Sequence, residues 1–228
     1  MISRLFLLII FPSLVLSQNV LDEQGKRQGN WTQKHSNGQL RYEGQFKNNI
    51  PIGIFKHFDK NGNLTANLKY FNQGNSVAAR LFYPNGNIHA VGLYSNEQKD
   101  SLWRYFNDKE LLVSEETYYS GKLHGQTRTF YKNGKLAELF TYVDGLKEGE
   151  WKQYYENGQE MAKCLYLNDK LNGRYIRFYQ NGKKEFEGNY NKDLKDGIWK
   201  FYLPNSEVDY ELEYENGRLL TELELEDE

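Results

Sequence analysis

The residues of this chain able to do chemistry are few and do not converge. Four histidines, His35, His57, His89 and His124, share no metal-binding interval, and none stands at the i, i+4 spacing that aims two imidazoles at one ion. Cys164 is the only cysteine, so neither an intramolecular disulfide nor a paired-cysteine metal knuckle is open to the chain. Carboxylate pairs such as Glu115 with Glu116 and Glu185 with Glu187 have the residue types of a glycosidase dyad. Acidic residues are abundant throughout, however, and solvated strand faces account for them. No serine elbow, P-loop or dinucleotide-binding glycine motif is present. The reading is of no catalytic residue, no metal, no cofactor, and hence no enzyme. Four tryptophans, Trp31, Trp103, Trp151 and Trp199, remain as candidate ligand contacts. Indoles left exposed at regular intervals are able to stack on sugar rings.

The interval between those tryptophans points to the elements that carry them. Asn-Gly steps place Gly38, Gly62, Gly86, Gly134, Gly158 and Gly182 at 24-residue spacing or a multiple of it, and Lys109-Glu110 and Asn205-Ser206 fill the two remaining slots. Nine residues after each asparagine slot stands a ring: Phe46, Tyr70, Tyr94, Tyr118, Tyr142, Tyr166, Tyr190 and Tyr214. Three before it stand Lys34, Phe58, Phe82, Phe106, Phe130, Tyr154, Phe178 and Tyr202, and most units open on Trp31, Phe55, Trp103, Trp151, Tyr175 or Trp199.

Asn-Gly between aromatic and β-branched runs predicts a two-residue type I′ hairpin turn, with positive φ at both central residues. Gly121, Gly145, Gly217, Asp169, Asp193 and Asn49 supply left-handed-tolerant residues for the other connection. Leu40, Tyr42, Gly44 and Phe46 alternate onto one face, the expected core. Gly44, Gly92, Cys164 and Gly188 leave room there for a neighbouring ring, which makes Cys164 a packed small hydrophobe. Trp151 and Tyr154, three apart, allow either a bulge between them or rings on both faces. The expected fold is all-β: an elongated antiparallel meander of eight tandem 24-residue β-hairpin repeats over 29–220. A half-repeat cap over 18–28 precedes it and an acidic cap or tail over 221–228 follows.

Ahead of the repeats, Arg4, the apolar run Leu5 to Leu16 and Val15-x-Ser17 have the form of a signal peptide over 1–17. The apolar run is short for a membrane span, so no stable span is expected after cleavage. The expected location is outside the cytosol: periplasmic, cell-surface or secreted. With 29 basic and 31 acidic residues the net charge is −2, and no basic patch marks the chain as a nucleic-acid binder.

The unit Gly149-Glu150-Trp151-x-x-Tyr154-Tyr155-x-Asn157-Gly158, followed by Tyr166, resembles the MORN-variant repeat. So does Gly197-Ile198-Trp199 with Phe201-Tyr202, without the turn glycine. The resemblance extends from residue 19 to about 220, departs at Ala79 and at Lys109-Glu110, and is similar to the bacterial YwqK-family antitoxin group. It implies stacked hairpins in one long sheet and carries over no catalytic residue. The leading expectation is a non-catalytic exported protein-interaction or envelope scaffold whose partner protein is unidentified. The alternatives are a carbohydrate-binding module, with a polysaccharide on the tryptophans, and an antitoxin-like binder of a partner protein.

Overall fold

The computed structural model describes residues 18–223; the expected leader, 1–17, and the end of the acidic tail, 224–228, lie outside the described residues. Among the described residues nineteen strands, from Val20–Leu21 to Arg218–Leu223, form one open antiparallel meander in which successive strands pair, except that Lys170–Leu171 and Gly173–Phe178 both pair with Glu160–Leu167. The first hairpin, Arg27–Lys34 with Leu40–Lys47, sets the pattern, and the array is built from eight such hairpins. At the start Val20–Leu21 pairs with Arg27–Lys34, and the Asp22 carboxylate closes the bend between them by accepting from the Gln24 and Lys26 amides, 2.9 Å each.

Each strand is pleated, so its two sides differ. On one side, here the ring face, Phe46, Phe55 and Tyr70 meet edge to face at 5.0 and 5.1 Å. Tyr94 with Trp103 and Tyr190 with Trp199 repeat the contact at 4.9 and 5.0 Å. This is the face that Tyr42, Gly44 and Phe46 mark in the sequence. The other side is the open face. The first strand alternates without a break from Trp151 to Tyr154, so rings occupy both faces: Phe178 lies under Lys163 on the open face, and Tyr202 bonds Glu187 there. A bulge does sit beside Tyr154, on the facing strand, where Met161 is the extra residue between Ala162 and Glu160.

A second irregularity in the pairing recurs where one hairpin meets the next. Glu43 faces Lys56 while Gln45 faces Ile52, so three residues, Gly53 to Phe55, stand opposite Gly44 alone. The bend has positive φ at its first residue in three junctions, 67° at Gly53, 58° at Ser101 and 70° at Gly197, and at its middle residue where Glu148 to Glu150 face Thr141, 93° at Gly149. It throws the opening ring flat over the small residue of the preceding strand. A Cβ on Gly44, Gly92 or Gly188 would stand 2.4, 2.2 or 2.3 Å from the ring of Phe55, Trp103 or Trp199. The third repeat shows the coupling by losing all of it. Val77 replaces the bulge glycine and keeps negative φ, the pairing across this junction runs without a shift, Ala79 replaces the ring, and Leu68 fills the space beneath.

The turn assignment from sequence is corrected. At the Asn-Gly rim, Gly38 N donates to His35 O at 3.0 Å and His35 N to Gln39 O at 2.8 Å, which encloses a three-residue loop. Only the glycine has positive φ, 86° at Gly38 and 92° at Gly158, the pattern of a type I turn ending in a left-handed residue. The asparagine keeps negative φ because its side chain is engaged on both sides. Asn37 Oδ1 accepts from Gln39 N at 3.2 Å, and Asn37 Nδ2 donates to Lys60 O in the next repeat at 2.7 Å. The type I′ turns lie at the opposite rim, at Asn48-Asn49 (φ 54° and 68°), Asp144-Gly145 (50° and 91°) and Asn168-Asp169 (49° and 65°).

Gly158→Val therefore forces a β-branched residue into the left-handed region and lowers stability by about 1 kcal/mol or more. Glu110 already stands at φ 59°, and its carboxylate accepts from Ile88 N at 3.1 Å, so Glu110→Gly exchanges strain for a lost bond and stays within about 0.5 kcal/mol. Paired thermal melts with equal shifts would contradict this register. Gly92→Ala is expected to cost about 1–3 kcal/mol by overpacking and to change the environment of Trp103 in the fluorescence spectrum.

Candidate interaction face

The candidate sugar contacts lie on the ring face, and the ring face is closed. Trp103 and Trp199 are 0% exposed and Trp151 is buried; Trp31 alone is half-buried, with its Nε1 donating to Gln28 O at 3.1 Å. Cations cap the rings from outside: Arg27 is 3.9 Å above Phe46, Lys99 4.9 Å from Trp103, and Lys195 4.4 Å from Trp199. A sugar ring finds no indole face on three of the four tryptophans. The column from Phe46 to Tyr214 packs between the openers and serves the core, and the six turn glycines serve the loops described above.

The chemistry-bearing residues do not gather. Glu115 pairs with Arg104 and Arg128 at 2.9 and 3.5 Å on the open face, whereas Glu116, the next residue, binds Tyr118 Oη at 2.6 Å on the ring face. Glu185 pairs with Arg177 at 2.8 Å, away from the partners of Glu187. His35 bonds Phe58 O, His89 packs on Tyr83, and His124 faces Asp144. Burial pushes the Cys164 thiol up from its ordinary value, and the side chain packs with Trp151 and Ala162. Among the described residues no three metal-ligating side chains come together.

The open face carries a row of side chains crossing the whole sheet, exposed or half-buried except at Leu139, Ile176 and Glu187, which are buried. Thr32, Glu43, Lys56, Asn67, Arg80, Val91, Arg104, Glu115 and Arg128 are successive cross-strand neighbours. The row continues through Leu139, Lys152, Lys163, Ile176, Glu187 and Lys200 to Glu211. The frame beneath recurs in most repeats, and the row is basic at Lys56, Arg80, Arg104, Arg128, Lys152 and Lys200 while the residue each of these faces within its hairpin changes. No sequence reading found it, because its members alternate between intervals of eleven and thirteen residues, which only the register reveals.

Near the C-terminal end Glu187 is buried among three donors: Arg174 Nη2 at 2.5 Å, Lys184 Nζ at 2.8 Å and Tyr202 Oη at 2.8 Å. Burial alone would raise its pKa, but these bonds outweigh it and hold the carboxyl at about 2. The Tyr202 hydroxyl, partly desolvated and bonded to that carboxylate, is pushed up to about 12. This cluster is satisfied and structural.

The frame defines a tandem β-hairpin repeat protein. More specifically, five segments, 27–48, 123–144, 147–168, 171–192 and 195–216, match the MORN repeat variant, so the chain carries MORN-variant repeats at those positions. The copies between 49 and 122, which hold Val77, Ala79 and Lys109-Glu110, are not matched. No curated protein matches the chain. Among solved structures, TarM is similar over 42% of this chain and 19% of its own, at 15% identity and TM-score 0.32. The TcdB2-TccC3-Cdc42 structure is similar over 79% of this chain and 12% of its own, at 12% identity and TM-score 0.21. A Photorhabdus luminescens Tc holotoxin pore covers 85% and 12%, at 13% identity and TM-score 0.20. The chain thus spans less than a fifth of the solved chains it resembles. No helix among the described residues is long and apolar enough to cross a membrane.

A carboxylate whose folded pKa lies below its unfolded value of 4.5 stabilises the fold above that value, and the contribution disappears as pH falls through about 2. Melting temperature should therefore drop more steeply between pH 4.5 and about 2 in the wild type than in Glu187→Gln. Parallel slopes in that window would show that Glu187 is not held as described.

Proposed function

We propose that this protein is a non-catalytic, exported interaction scaffold that binds a partner protein along its open face. The observation that carries the reading is the cross-strand row: a frame of glycines and rings that recurs in most hairpins holds a line of side chains whose facing pair differs from hairpin to hairpin. Such quasi-one-dimensional arrays suit extended partners, since each repeat offers one increment of surface. The MORN-variant match supports it as an interaction repeat. Arg4 and the apolar run before Ser17 support export. An antitoxin-like role is one form of the same activity, in which the bound protein is held inactive. A sugar-binding role has only Trp31 left to it among the tryptophans.

The test is capture from envelope extract, alongside purified cell-wall and surface polysaccharides, with tryptophan emission recorded on every hit. The scaffold reading expects one protein bound saturably with little change in emission, because the indoles face away from the open side. A saturable polysaccharide hit that shifts the emission would overturn it.

A further inference from the structure

Every cation of the open-face row has a carboxylate partner except one. Lys56 is paired with Glu43 at 3.0 Å, Arg104 and Arg128 with Glu115, Lys152 with Glu150 at 2.6 Å, Lys163 with Glu160 at 2.8 Å and Lys200 with Glu211 at 2.5 Å. Arg80 stands between Asn67 and Val91, is exposed, and has no ion pair among the described residues. Lys69, on the strand that carries Asn67, is likewise exposed and unpaired among them. Both line a groove of about 450 Å³ on the open face whose floor is apolar, with Leu93 37% and Ile54 55% exposed beside Val91. Asn67 lines it too. The groove coincides with the third repeat, where the junction bulge is missing and the pairing from Ala66–Leu81 to Phe71–Ser76 is uninterrupted.

We propose that this groove docks an extended acidic peptide segment of a protein partner, with apolar side chains among its carboxylates. The inference rests on the scaffold reading and gives its contact point and the partner's chemistry. Two unpaired cations call for anions, and the exposed Ile54 and Leu93 call for apolar groups beside them. Phosphate oxygens of a nucleic acid answer the cations but offer the apolar floor nothing. A peptide supplies both, through its carboxylates and its aliphatic side chains.

The probe is a labelled synthetic peptide of alternating Glu and Leu, titrated with the purified full chain and followed by fluorescence anisotropy. Saturable binding is expected, weakened roughly tenfold or more by Arg80→Gln with Lys69→Gln. Lys200→Gln, which removes one charge from an already paired site, should leave it unchanged. Melting temperature serves as the folding control for each variant. Absent peptide binding, equal affinity in the groove variant, or displacement by a short duplex DNA at equal affinity would overturn the proposal. If the groove variant still captures the envelope partner at the wild-type yield, the docking site is wrong and the scaffold reading stands. If neither chain captures a partner, the scaffold reading itself fails.

Discussion

An aromatic ring cannot lie flat on a β-strand that carries a side chain beneath it, and most of this structure follows from that exclusion. Phe55, Trp103 and Trp199 are buried because Gly44, Gly92 and Gly188 leave the backbone of the neighbouring strand bare. A single-layer sheet has no second sheet to bury its apolar side against. It makes most of its core on one face by laying the opening ring of a hairpin across the seam to the last one, at the cost of a bulge and a positive φ, while Leu139 and Ile176 are buried on the other face. Where the opener is small, at Ala79 and Thr127, the residue beneath is Leu68 or Glu116, so volume is conserved across the seam. Trp151 is the exception: it stands beside Phe140 at 6.4 Å between centroids and keeps a trace of exposure that Trp103 and Trp199 lack.

The rims hold the same array in register by a different means. Tyr83, Tyr131, Tyr155 and Tyr179 donate their hydroxyls to the carbonyl twenty-three residues on, at Phe106, Tyr154, Phe178 and Tyr202. Turn asparagines reach the next loop alongside them, as Asn133 does to Glu156 O at 3.0 Å. Each repeat is thus fastened to the next through its rings on one face and its polar side chains at one rim, in the nearest-neighbour manner of repeat proteins.

The period, the strand pairs, the ring face and the purpose of the small residues were legible in the sequence, because each depends on residue type at a fixed interval. The turns were legible in place but not in kind. Asn-Gly suits a type I′ turn and equally a type I turn that ends on glycine, and the side-chain bond from Asn37 to Lys60 that favours the second is made to another repeat. The bulge glycines were visible as part of a motif, Gly149 and Gly197, but a period of two assigns them no role until the register shift is seen. The open-face row was invisible for a related reason: which residues face one another across seven junctions is a property of all the bulges together.

The ring and the small residue beneath it are eleven positions apart and belong to different hairpins, so the heritable unit of this protein is offset from its visible one. A recombination that removes one period restores every column, whichever point it cuts, since 24 residues return each side chain to its own face. A crossover between Gly92 and Trp103 nevertheless hands the bare backbone of one copy to the opener of another, whereas a crossover within the hairpin from Trp103 to Thr117 keeps the matched pair intact. Lengthening or shortening of the array by gene duplication would thus preserve packing only when its breakpoints fall inside hairpins, and a lineage of such arrays would carry its scars there rather than at the seams.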